Sequence, residues 1–129
     1  MHSLMPQEIE VWYVIPAVRR ELAKTMVKDL KLSQKEIANA MGLTEAAVSQ
    51  YLHSKRAKEV KFSKKAMGEI KNSAKKIAKD KGQVIPEMVK LTRIADIKVA
   101  MCDMHRKHDT KLPKNCCICF DEQELIKIR

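Results

Sequence analysis

Glycine is scarce in this chain, with three in 129 residues, and proline is nearly as scarce, with four. Aromatic residues make up only 4%. An all-β domain needs frequent tight turns and strand surfaces rich in aromatic and β-branched side chains, so this composition argues against one. No stretch has the continuous apolar run that a membrane span needs. The opening Met1-His-Ser-Leu-Met5 lacks the basic segment and following apolar core of a secretory signal. A cytoplasmic protein with no membrane partner is therefore expected. Cysteine is absent until residue 102, then occurs at 102, 116, 117 and 119. In a reducing compartment these are thiols or metal ligands rather than disulfides.

Charge and helix-forming residues are plentiful. Charged residues make up 33% of the chain, and Ala, Lys, Glu, Ile, Leu and Met are abundant. The expected fold is all-α. Formal net charge is +10, and it is concentrated: Lys55 to Lys81 holds eleven Lys or Arg against three acids. Such a block points to a polyanionic partner, although lysine-rich helices are often only solvated faces.

The densest signal lies between Ser33 and Leu52. Ser33 and Glu36 have the spacing of a capping box. Ile37, Ala38 and Met41 follow at helical spacing, and Gly42 stands where a sharp turn is needed. Thr44 can cap a second helix, with Val48, Tyr51 and Leu52 facing inward. Ala38 is small enough for two helices to cross closely. An ordinary helical hairpin would share some of these features, but the combination reads as a helix-turn-helix whose second helix enters the major groove of double-stranded DNA. The expected contact residues are Gln34, Thr44, Glu45, Ala46, Ser49, Gln50 and His53, which are small or hydrogen-bonding. Lys55, Arg56 and Lys58 follow directly and are expected on phosphates.

Around this unit the apolar spacing predicts further helices. Gln7 to Leu30 reads as one broken helix or two short ones, with Pro16 in the first turn of the second piece. Trp12 and Tyr13 are expected to anchor its N-terminal end in the core. Ser54 to Phe62 reads as a polar, basic connector. Ser63 can cap a helix to about Lys81 that Gly82 ends, and Pro86 opens another to about His105. Their apolar stripes must pack on the N-terminal part or pair across a homodimer axis. The expected division is a DNA-binding domain over residues 1–60 and a helical dimerisation and metal-binding region over 61–129.

The tail carries the remaining chemistry. Cys102 and His105 are three apart on a helix, so they point to one side. Cys116 and Cys119 form a Cys-x-x-Cys knuckle. Three sulfurs and one imidazole are a normal tetrahedral zinc set. Cys117 is a possible further ligand, and four thiolates would suit an iron–sulfur cluster instead. The ten residues between His105 and Cys116 include Pro113 and five charges, so a metal would have to order them. Free thiols beside a solvated His-Arg-Lys-His run are the plainer alternative.

The N-terminal two-fifths resembles the archaeal Xre-like family of helix-turn-helix regulators. The resemblance rests on Val14-Ile-Pro-Ala-Val-Arg-Arg20, Ser33-Gln-Lys-Glu-Ile-Ala38, and Leu43-Thr-Glu-Ala-Ala-Val-Ser-Gln-Tyr-Leu52 with Lys55-Arg56. The tail also looks like that of its cysteine-bearing members, whose ends carry a Cys-x-x-His and then a Cys-x-x-Cys. The resemblance implies transcriptional regulation, with contact to the transcription machinery among its partners. Against it stands a metal-stabilised module that binds RNA or an acidic protein through its basic helix. An enzyme is not expected, because no glycine-rich loop or paired-carboxylate pocket is present to receive a substrate.

Overall fold

A computed structural model describes residues 4–109, 111 and 112, without the side chains of Lys55 and Arg56. The described residues are helical, with no strand among them. No helix among them is long and apolar enough to cross a membrane.

The chain opens with a near-continuous helical rod. It comprises α1 (Pro6–Ile9), a π-helical turn (Glu10–Val14) and α2 (Ile15–Lys28). Pro16 explains the middle piece. Proline has no N–H to give to the carbonyl four residues back, and its ring crowds that carbonyl. The backbone widens instead, and Ile15 N–H bonds the carbonyl of Glu10, five residues back. The break expected near Pro16 is thus a local change of pitch. The widening also rotates the residues before it. Ile9 and Val14 are buried, but Trp12 is 42% exposed. The expectation that Trp12 anchors the core is corrected. Tyr13 is half-buried and stacks on His108, with ring centroids 4.6 Å apart.

The lower half of the rod is the spine. Ala17, Val18, Leu22, Ala23 and Met26 of α2 are buried. Against it pack α3 (Gln34–Met41), α4 (Glu45–His53), α5 (Lys55–Glu59) and α6 (Lys64–Lys79). Ala66, Ile70, Ala74 and Ile77 of α6 lie on its inner side, so the stripe that could have served a dimer axis is buried within one chain. One continuous cluster of buried apolar residues runs from Ile9 to Met104.

Three boundaries differ from the sequence expectation. The connector after α4 contains α5, capped by the Ser54 hydroxyl, which accepts from Ala57 N–H at 3.2 Å. α6 stops at Lys79 because Asp80 turns extended, and the Asp80 carboxylate accepts from Gly82 N–H at 2.9 Å. Gly82 sits in a short 3₁₀ turn (Lys81–Gln83) and does not end the helix through a left-handed φ.

The helix expected from Pro86 to His105 is two helices, α7 (Val84–Thr92) and α8 (Ala95–His108). Thr92 Oγ1 donates to the Val89 carbonyl at 2.9 Å, and Ile94 turns extended to cap α8. The break resets the helical phase. Of the residues spaced for a single stripe, Met88, Leu91 and Cys102 are buried and Ala95 and Val99 half-buried, while Ile97, Ala100, Met101 and Met104 are buried on the new phase. Between α6 and α7 the buried Ser73 hydroxyl donates to Glu87 at 2.7 Å, with Lys90 Nζ 3.6 Å from the same oxygen.

Two glycines predict opposite effects of one substitution. Gly42 has φ +66°, and a Cβ there would meet open space, so the cost of Gly42→Ala is backbone strain alone. That cost is about 1–2 kcal/mol. Gly68 lies exposed inside α6, also with open space at its Cβ position. Gly68→Ala is expected to stabilise by about 0.5–1 kcal/mol. Urea denaturation of both variants checks the pair; equal signs would refute the conformational assignment.

Candidate nucleic-acid interface

The residues from Ser33 to His53 form two short helices joined by a tight turn. Ser33 Oγ accepts from Glu36 N–H at 3.1 Å, and Glu36 Oε1 accepts from Ser33 N–H at 3.3 Å. Both halves of the capping box are therefore made. At the far end Gly42 is left-handed, and Leu43 N–H bonds the Ala38 carbonyl at 2.8 Å. That six-to-one bond closes the helix and turns the chain in one step. Thr44 Oγ1 then accepts from Ala47 N–H at 3.1 Å and starts α4. Ile37, Ala38, Ala40 and Met41 of α3 are buried, but Val48 is the only residue of α4 that is fully buried.

α4 thus keeps one side in solvent, with Ala47, Tyr51 and Leu52 half-buried around Val48. Thr44, Glu45, Ala46, Gln50 and His53 are exposed and Ser49 is half-buried. Gln34 is exposed at the start of α3. His53 Nδ1 lies 2.8 Å from the Ser49 carbonyl. A carbonyl only accepts, so Nδ1 carries the proton and the neutral ring keeps Nε2 as its acceptor. An α-helix with its side chains is roughly 10–12 Å across, which suits a groove about 12 Å wide.

The inner side of α4 is fixed by a contact that periodicity did not reveal. Arg19 Nη1 on α2 donates to Tyr51 Oη at 2.9 Å, and its guanidinium lies 5.5 Å from the Tyr51 ring centroid. Tyr51 reads as an apolar inward residue, yet its hydroxyl needs a partner when half-buried. Arg19 lying off the apolar stripe was the signal available.

The basic residues divide into two groups. Lys58 is exposed on α5, one helix beyond α4. The lysines of α6 lie elsewhere, because α6 runs along α2 and reaches α3. Lys79 and Lys81 line a cleft of about 300 Å³ with Glu36 and Asn39 of α3. The C-terminal end of the block therefore lies beside the first helix of the pair, whereas Lys71 lines a cleft with Glu21, Lys24 and Lys28 of α2.

The described part of the metal-ligand set is at the end of α8. Cys102 and His105 are both buried, on the side of α8 that faces the protein. His105 Nε2 lies 2.6 Å from the Leu4 carbonyl, which fixes the proton on Nε2 and leaves Nδ1 as the nitrogen with a lone pair. Cys116, Cys117 and Cys119 lie outside the described residues. Among the described residues no group of three His, Cys, Asp or Glu could hold a metal ion. One turn on, the buried His108 Nε2 faces Glu59 of α5 at 3.7 Å, beyond hydrogen-bond length.

Compared with models of known families, with curated proteins and with solved structures, the chain gives no match in any of the three.

Tyr51→Phe removes the hydroxyl that Arg19 holds and nothing else. The expected loss of stability is about 1 kcal/mol, the usual net worth of one hydrogen bond. Chemical denaturation reads it. A variant as stable as the parent would show that this bond does not hold α4 in place.

Proposed function

We propose that the chain is a sequence-specific DNA-binding transcriptional regulator of the archaeal Xre-like helix-turn-helix type. The observation that carries this is the exposure of α4. A helix of an ordinary bundle buries a full apolar stripe, whereas α4 has one fully buried residue, Val48, with Tyr51 and Leu52 half-buried beside it, and presents Ala46, Gln50 and His53 outward. Gln50 would pair bidentately with adenine, Ser49 would contact a base or a phosphate, and Lys55, Arg56 and Lys58 would neutralise phosphates.

Gln50→Ala is expected to cost about 1–3 kcal/mol at one base position and to relax preference there. Lys58→Ala should weaken all duplexes alike and flatten the salt slope by about one unit. Titrations of specific and random duplexes over a salt series separate the two effects. Unchanged discrimination by Gln50→Ala would remove α4 as the reading helix. Retained RNA binding without duplex binding would favour the interaction-module alternative.

Two copies would sit on half-sites roughly 34–36 Å apart. With the α6 stripe buried inside the chain, the exposed Ile85 and Val89 of α7 are the apolar surface of that region available for pairing. Two side chains fall far short of the roughly 800 Å² per partner of a stable interface. Pairing is therefore expected to be weak in solution and enforced by adjacent half-sites. One protomer per operator in sedimentation would exclude it.

The tail would bind zinc or an iron–sulfur cluster through Cys102, His105, Cys116 and Cys119. Cys102 and His105 support this: both are buried on one helical face, and the Leu4 carbonyl takes the Nε2 proton of the imidazole, as a carbonyl commonly does behind a metal-bound histidine. Elemental analysis with an absorbance spectrum of anaerobically purified protein distinguishes the two cofactors. Cys116→Ser and Cys119→Ser should each lose most of the metal, while Cys117→Ser should keep it. Loss on Cys117→Ser alone would favour a thiolate-only cluster.

A further inference from the structure

A cleft of about 300 Å³ lies between α3 and the end of α6 with the 3₁₀ turn that follows it. α3 contributes Glu36 and Asn39 to its lining, and the other side contributes Lys79 and Lys81. Neither lysine is held in an ion pair or a side-chain hydrogen bond among the described residues, and the Asn39 amide has no partner there either. Glu36 gives Oε1 to the capping box, which leaves Oε2 open. Leu32, Ala40 and Ala78 supply the apolar part of the lining.

Size and lining select a class of ligand. Small-molecule sites usually occupy roughly 300–1,000 Å³, so this one suits a small metabolite. No aromatic side chain among the described residues lines it, so a nucleobase would find nothing to stack on. One leucine and two alanines suit a short aliphatic chain. The charges are two cations and one carboxylate, a net +1. Their complement is a molecule with two carboxylates and one ammonium. A simple dicarboxylate would satisfy the lysines but bring a third carboxylate against Glu36, and like charges at close range repel. A phosphate would meet the same repulsion.

We propose that this cleft binds an acidic amino acid, of the glutamate or aspartate kind. Its two carboxylates pair with Lys79 and Lys81, and its ammonium pairs with Glu36 Oε2. The Asn39 amide both donates and accepts, so it can bond either kind of group. A bound molecule bridges α3 to the end of α6. Its dissociation constant is expected on the order of 1 mM, because all four polar side chains are exposed and exposed ion pairs contribute little. The inference rests neither on DNA binding nor on a metal.

Titration of the full chain with L-glutamate at constant ionic strength, followed by amide nuclear magnetic resonance, tests it. Shifts should concentrate at residues 36–40 and 79–81. Glutarate has both carboxylates but no ammonium, and should bind about tenfold more weakly. Lys79→Ala with Lys81→Ala should weaken L-glutamate binding about tenfold. Glu36→Gln keeps the capping box, because glutamine fills the same role there. It should act with opposite signs: L-glutamate binds more weakly and glutarate more tightly. The absence of a saturable shift would overturn the proposal. So would shifts spread equally over Lys24, Lys28 and Lys71 of the neighbouring cleft, which would mean that the anion seeks any lysine. Equal affinity for L-glutamate and glutarate, or a Glu36→Gln variant that binds both as the parent does, would overturn it too.

Discussion

The N–H that Pro16 lacks sets the course of the rod on which the rest of the molecule packs. A regular α-helix through this position would leave a carbonyl without a partner and press it against the ring. The five-residue bond from Ile15 to Glu10 relieves both problems, and it divides the rod into two faces of different phase. Below the turn, α2 presents one buried stripe to α3, α4 and α6. Above it, Ile9 and Val14 turn inward while Tyr13 meets α8. A straight helix would keep these residues in one register, and the sites for α8 and for α4 would not both be served.

Much of this was legible from local chemistry. The capping box at Ser33 and Glu36, the turn at Gly42 and the cap at Thr44 each need only three or four consecutive residues, and each was found with its expected partner. The all-helical composition was equally plain. What could not be read were features set by tertiary competition. α7 and α8 separate at Arg93–Ile94, where no glycine or proline marks a break; Thr92 satisfies a carbonyl with its own hydroxyl, and Ile97 reaches the core on the new phase with Ile94 packed against it. Trp12 was misplaced for a related reason, since the π-helical turn shifts the phase that assigns a residue to the core. The contact between Arg19 and Tyr51 joins residues 32 apart and has no periodic signature.

The candidate site shows the same division. Its outward residues follow from helical phase once the two caps are placed. The position of α6 beside α3 does not, because a lysine-rich helix with a good apolar stripe could have packed on a second copy as well as on its own chain. The burial of Ile70, Ala74 and Ile77 against the spine resolves that choice in favour of the single chain. It also moves part of the basic block away from the helix it follows in sequence.

The bond between His105 and the Leu4 carbonyl closes a ring of 101 residues. The contacts of α2 with α3 and α4 join elements closer in sequence, and such contacts form early because less chain must be ordered first. Closing a hundred-residue loop costs about 0.6 kcal/mol more than closing one of half that length, and the cost falls once the intervening helices have assembled. Docking of α8 on the N-terminal rod is therefore expected late in folding and early in opening. Native-state hydrogen exchange would place α8 and α1 together in one opening unit, below the stability of the spine. Opening of that unit would free the C-terminal helix while the buried stripe of α2 keeps its contacts with α3, α4 and α6.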